Sequence, residues 1–207
     1  MYLEICIIIV LSNKKTIMKR IFAVSALVLV AIATQAQTVW SIDKPHSTIG
    51  FSVSHMVVSE TTGNFKEFDG KVTSKEADFN GAEVEFTAKV ASINTENANR
   101  DGHLKGDDFF SAEKYPDITF KGTLVKNGGK YQLKGQFTMK GVTKDATFDV
   151  TYGGTVDTGR GVKAGFKLVG KINRQDYGVK WANKLQDGSA VVGDEVEVTC
   201  KIELNKA

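Results

Sequence analysis

The chain has 207 residues, 27 basic and 24 acidic, with 42% hydrophobic residues, two cysteines and two prolines. These totals fit one domain with an N-terminal extension, exclude a disulfide-stapled scaffold, and lack the basic excess of a nucleic-acid-binding domain. Residues 1–36 read as an export signal. Met18-Lys19-Arg20 is a basic start, Ile21 to Ile32 an apolar run, and Ala33-Thr34-Gln35-Ala36 a small-residue site, so cleavage is expected after Ala36. The run is shorter than the roughly 20 apolar residues of a membrane span. Residues 1–17 carry their own apolar run, Ile5 to Leu11, and are read as preceding a true start at Met18. Loss of 1–36 removes Lys14, Lys15, Lys19, Arg20 and Glu4, leaving 23 basic and 23 acidic residues in a neutral product of 171. Cys6 leaves too, so Cys200 has no intrachain partner.

From Gln37 onward the dominant period is two, the signature of half-buried strands. Ile49, Phe51, Val53 and His55 share one face. Val57-Val58-Ser59 follows, then a turn-prone Thr61-Thr62-Gly63-Asn64 and a segment from Phe65 to Val72 whose Phe65/Phe68 spacing breaks the period, as a bulge does. Ala82, Val84, Phe86, Ala88 and Val90 alternate cleanly against Glu83, Glu85, Thr87 and Lys89. The stretch 100–120 is different. It sets Arg100, His103, Lys105, Asp107 and Asp108 beside Phe109-Phe110, and predicts a short helix from about Glu96 to Lys105, an aromatic plug, and a turn at Tyr115-Pro116.

Alternation resumes at Ile118, Phe120, Gly122 and Leu124, turns at Asn127-Gly128-Gly129, and returns through Tyr131, Leu133, Gly135, Phe137 and Met139. Ala146 to Tyr152, Val162 to Ile172 and Val196 to Leu204 give three more strands. About eight strands with one helix to cover them predict an all-β fold, an extended eight-stranded antiparallel barrel whose closure removes exposed edges. Eight strands leave an interior that side chains just fill or that holds one small ligand. Alternation alone leaves the dry side open. An outer-membrane barrel has the same period, but its aromatic girdles are missing here, with Trp only at 40 and 181.

Enzyme signals are weak. The exported part has three His and one Cys without paired ligand spacing, so no metal site is expected, and it has no Gly-x-Ser-x-Gly elbow or phosphate-cradling loop. Asp107-Asp108 reads as helix or turn capping, and Cys200 as packing on an apolar face. What stands out is polar residues where an apolar face continues. His55 extends the Ile49–Val53 face, and Arg174 and Asp176 follow Ile172. With Arg100 and His103 they either gather at a barrel mouth to hold a ligand's head group or form a buried ion-pair cluster that fastens the helix.

Trp40-Ser-Ile-Asp43-Lys-Pro-His46-Ser47-x-Ile49-x-Phe51-x-Val53-x-His55, Gly63-x-Phe65-x-x-Phe68-x-Gly70, Arg100 to Phe110 and Tyr115-Pro116-x-Ile118-x-Phe120 resemble the YceI-like family. The resemblance continues through Gly135 to Lys144, Arg174-x-Asp176-Tyr177-Gly178 and Val192-Gly193-Asp194-Glu195-Val196, and so covers 38–205 in order. Met139, where Leu is commoner, and the glycine-rich stretch 153–161 depart from the pattern. The resemblance implies a lipocalin-like barrel at 37–207 with its helix near the mouth. It also implies an exported, periplasmic or secreted protein, often a homodimer, that binds a quinone, a polyprenyl chain or a fatty amide. No other cofactor, no nucleic acid and no membrane span are expected. Phe51, Val53, Phe86, Phe120, Phe137, Phe148 and Phe166 are expected to wall the tunnel, and His55, Arg100, His103, Arg174 and Asp176 to stand at its mouth. Two other classes remain: an enzyme acting on such a lipid through His55, His103 or Asp176, and a stress-response module that binds a protein partner and no ligand.

Overall fold

A computed structural model describes residues 37–207. The expected export signal, the start at Met18 and the cleavage point lie outside the described residues. The alternating segments form β1 (Thr38–Ile42), β2 (Thr48–His55), β3 (Ser59–Phe65), β4 (Phe68–Ser74), β5 (Ala82–Lys89) and the two-residue β6 (Ile93–Asn94). One helix, α1 (Ala98–Lys105), precedes β7 (Asp117–Asn127), β8 (Lys130–Met139), β9 (Val142–Asp157), β10 (Val162–Asn173) and β11 (Val192–Lys206).

Eleven segments make an eight-stranded barrel because three of its strands are interrupted, one of them between β5 and β6 at the short turn Val90–Ser92. β1 and β2 are halves of one strand, broken at the short turn Lys44–His46, where Pro45 has no N–H to offer a ladder. β3 and β4 are halves of its return, broken at Lys66–Glu67, as the Phe65/Phe68 spacing predicts. The register slips by two residues between the halves: Trp40 faces Val72, but Ile49 faces Phe65. Lys66 and Glu67 donate their backbone N–H groups to Ser92 instead of the ladder. Each strand then lies antiparallel to its sequence neighbour, and β11 closes the ring by pairing with β10 on one side and with both β1 and β2 on the other.

The apolar face points inward. Ile118, Phe120, Leu124, Leu133, Phe137, Phe148, Ala164 and Leu204 are buried, while Glu85, Lys121 and Lys134 face water. That orientation removes the outer-membrane alternative, whose apolar band faces out. Tight curvature is helped where Gly122 and Gly135 face each other. A Cβ on Gly122 would stand 2.8 Å from the Gly135 Cα, so no side chain fits there.

Two local expectations fail. Thr61-Thr62-Gly63-Asn64 is not a turn but the middle of β3, because the Phe51 ring covers Gly63 and the two pair in register. The turn falls earlier, at Met56-Val57-Val58. The helix starts at Ala98 rather than Glu96, since Asn97 caps it by accepting from the Arg100 N–H at 3.0 Å.

The two barrel ends are closed differently. At the end holding the β4–β5, β7–β8 and β9–β10 turns, residues 75–81 fold Phe79 into the bore, where it is 1% exposed. Its ring lies 5.0 Å from Trp40 and Phe166 and 5.5 Å from Tyr152. Tyr131 donates its hydroxyl to the Asp78 carbonyl at 2.8 Å and pins the loop. The other end carries α1, the segment 106–116 and the irregular β10–β11 connection.

Candidate functional site: an apolar bore beneath the helix

Inward side chains do not fill the barrel beneath α1. A cavity of about 220 Å³ runs there, with an apolar wall. Along β11 it is lined by Val196, Val198, Cys200, Ile202 and Leu204. These alternate residues span roughly 27 Å of strand at about 3.3–3.4 Å per residue. A small volume along so long a wall makes the cavity a narrow bore. Phe51, Val53, Phe86, Phe120, Phe137 and Phe148 all line it. Phe166 does not. It stacks on Tyr152 at 5.0 Å and belongs to the packed end.

Several wall residues escaped the sequence reading. Leu104, Phe109 and Phe110 come down from the helix segment, and Val179 and Val192 from the β10–β11 connection. They lie in irregular segments where period two carries no signal, although Phe109-Phe110 was expected to plug this end. Phe109 is buried against Trp181 at 5.4 Å, and Phe110 meets the edge of Phe65 at 6.4 Å. The packing is local. Gly106, Leu104 and Lys105 carbonyls accept the N–H groups of Phe109, Phe110 and Ala112, folding the chain back beneath the helix.

The five polar residues expected at the mouth do not form one head-group site. Arg174 is 4% exposed and lines the bore, but its guanidinium is fully engaged. Nε donates to the Gly193 carbonyl, Nη1 to those of Val179 and Trp181, and Nη2 to the Val192 carbonyl and the Asp194 carboxylate, at 2.8–3.2 Å. All five donors have acceptors, so Arg174 fastens the β10–β11 connection to β11 and has none left for a ligand. The alternation that placed it beside Asp176 ends at a short helical turn, Arg174–Tyr177. Asp176 therefore faces solvent and pairs with Lys144 at 3.3 Å. Arg100 is tied to Thr95 through its Oγ1 at 2.7 Å and its carbonyl at 2.8 Å. His55 pairs in register with Val192 and Ser59, and it is not on the bore wall. His103 is exposed, bonded to Asp108 at 3.0 Å, with its ring edge-on to Phe109 and Trp181 at 5.0 and 5.9 Å. It is the polar group that touches the aromatic cover of the bore.

Cys200 lies on the wall with its thiol pushed up to about 12 by burial, against one backbone hydrogen bond from Gly50, and it acts as a small apolar group. A second polar cluster sits at the β1–β2 break. Asp43, His46 and Glu203 place ligand atoms within 4.8 Å of one another. Lys163 is 2.6 Å from both carboxylates, so its ammonium supplies the positive charge between them. Its hydrogen bond holds the Asp43 carboxyl down at about 2.

The YceI-like domain pattern matches residues 40–204. The Staphylococcus aureus (strain MSSA476) UPF0312 protein SAS2572 is 33% identical over 171 residues, covering 81% of this chain and 98% of that relative. A Campylobacter jejuni YCEI protein of known crystal structure is 34% identical with a TM-score of 0.64, covering 80% of this chain and 96% of that one. A polyisoprenoid binding domain from Saccharophagus degradans, implicated in plant cell wall breakdown, shares the fold at a TM-score of 0.58 and 17% identity, covering 81% and 98%. With the pattern spanning nearly the whole barrel and relatives matched almost end to end, the chain belongs to the YceI-like domain family.

Proposed function

We propose that the protein binds an isoprenoid-type lipid (a quinone, a polyprenyl chain or a fatty amide) and holds its tail in the bore for storage or transport. The observation that carries this is the long, narrow, apolar wall from Val196 to Leu204, closed beyond by Phe79 and covered by Leu104, Phe109 and Phe110. A chain-like apolar ligand matches that shape, and burial contributes on the order of 5 kcal/mol for each 200 Å² of tail removed from water. The polyisoprenoid-binding function of the Saccharophagus degradans domain supports the same ligand class. At about 220 Å³ the bore is smaller than the ~300–1,000 Å³ of ordinary ligand sites, so a full-length tail enters with rearrangement of the aromatic cover. The wall offers burial rather than reactive groups, which fits a binding protein; its one thiol is held protonated.

The export signal read at 1–36 supports a location outside the cytoplasm for this carrier, and N-terminal sequencing of the secreted or periplasmic product should begin at Gln37. Among the described residues no helix is long and apolar enough to cross a membrane. Solvent extraction and native mass spectrometry of the purified protein should find one isoprenoid-class lipid per chain. Protein that is empty, and that also fails to take up short-chain quinone and polyprenol probes, would overturn the reading.

A further inference from the structure

At the end of the barrel opposite Phe79, the β2–β3 hairpin projects a tip of three apolar residues. Met56, Val57 and Val58 are 40, 70 and 86% exposed, and Val57 and Val58 are the most exposed large apolar side chains among the described residues. Their backbone makes the exposure unusual. Met56 and Val57 are held at φ 51° and 64°, the left-handed region where hairpin turns ordinarily place Asn and Gly and where a β-branched side chain is strained. The tip accepts that strain while holding Val57 and Val58 largely in solvent and Met56 partly so. It is nonetheless anchored: the Met56 N–H donates to the Val191 carbonyl at 2.9 Å, and Ser59 bonds back to the His55 carbonyl at 3.3 Å.

The tip is continuous with the bore. Val53 lies three residues below it on β2, and Val192, paired with His55 at its base, lies on β11; both line the cavity. The stretch Phe51 to Ser59 contains no Asp, Glu, Lys or Arg. We infer that Met56, Val57 and Val58 form a docking tip that enters the surface of a lipid bilayer and brings the mouth of the bore against it. This rests on the carrier reading above, because a lipid cargo is loaded from or delivered to a lipid surface. Size separates the bilayer from a second copy of the chain. A stable protein interface needs about 800 Å² from each partner, far more than three side chains present, whereas a few apolar groups suffice for reversible interfacial binding. The uncharged tip assigns the contact to the apolar boundary of the bilayer and not to anionic head groups.

The test is flotation of purified protein with phosphatidylcholine vesicles at low and high salt. Partitioning should be measurable and insensitive to salt. Val57→Asp/Val58→Asp should lower it at least about tenfold, the scale set by withdrawing one valine from an apolar phase. Val57→Asn/Val58→Ser should lose vesicle binding while melting at the same or a higher temperature, because Asn suits the left-handed turn better than Val. Both variants should keep wild-type uptake of a soluble short-chain quinone. Wild-type protein that ignores vesicles, or variants that bind them equally well, would overturn the tip. So would variants that turn a dimer into a monomer without changing vesicle partitioning. If the wild type binds vesicles through the tip but takes up no quinone, the carrier reading fails and the docking surface stands.

Discussion

The two ends of the barrel are built from the same alternating strands, yet one is packed and the other hollow. At the packed end Phe79, Trp40, Tyr131, Tyr152 and Phe166 meet ring to ring at 5.0–6.0 Å and fill the bore. At the hollow end Phe51, Phe86, Phe120, Phe137 and Phe148 stand around the bore with Val53, Val192, Val196 and Val198 and leave it open, while Phe109 and Phe110 lie above it as a cover. The difference comes less from the strands than from the connections. One loop turns a phenylalanine inward along the axis, whereas the 106–116 segment lays two across the top. An eight-stranded barrel stands near the limit where side chains just fill the interior, so one inserted ring decides whether a given level is core or cavity.

The largest effect is expected from emptying the packed end. Phe79→Ala should destabilise the protein by about 3–5 kcal/mol, measured by urea unfolding. In the folded fraction the bore should extend toward Trp40 and Tyr152, shifting preference toward longer polyprenyl tails in a chain-length series. Loss of stability without any shift would mean that the two ends do not communicate.

Next comes the anchor of the hollow end. Arg174→Lys keeps the charge but offers three donors where five are engaged, leaving buried carbonyls bare at about 2–4 kcal/mol in total. Hydrogen exchange should speed up first in the connection 174–191. If Arg174 instead gripped a head group, ligand affinity would fall with stability unchanged.

Filling the hollow end should make it resemble the packed one. Val198→Trp places a ring in the bore, and stability should fall by no more than about 1–3 kcal/mol while lipid uptake is lost. Equal uptake by this variant would move the ligand out of the barrel.

The smallest effect is on the acid limb. The Asp43 carboxyl, held at about 2 by the Lys163 hydrogen bond, contributes stability that is fully present above its ordinary value of 3.8 and is lost as pH falls through about 2. Lys163→Met should flatten the loss of stability between pH 4 and 2 and lower the melt at pH 7 by the corresponding amount, which solvent screening keeps small.

Most of the fold was legible because a barrel strand writes its orientation at every second residue. Phe51, Phe86, Phe120, Phe137 and Phe148 reach the bore as period two places them, and even the β3–β4 break shows in the Phe65/Phe68 spacing. Legibility fell wherever the chain left the sheet. The turn at 56–58 was placed five residues late because Met-Val-Val looks like strand and Thr-Thr-Gly-Asn looks like turn. Phe79 had no periodic neighbours to mark it as core. Asp176 read as an extension of the Ile172 face because the helical turn Arg174–Tyr177, which sends it to solvent, has no strong local signal.

The sequence by itself determined the strand count, which residues share a face, and the family, since each depends on local alternation and ordered motifs. Only the tertiary structure decided which end is hollow, that Arg174 is a fastener and not a ligand contact, and that Phe166 belongs with Phe79. Those depend on which side chains from distant connections arrive at the same level of the barrel. Spacing along one strand records the direction of a side chain, but not what comes to meet it.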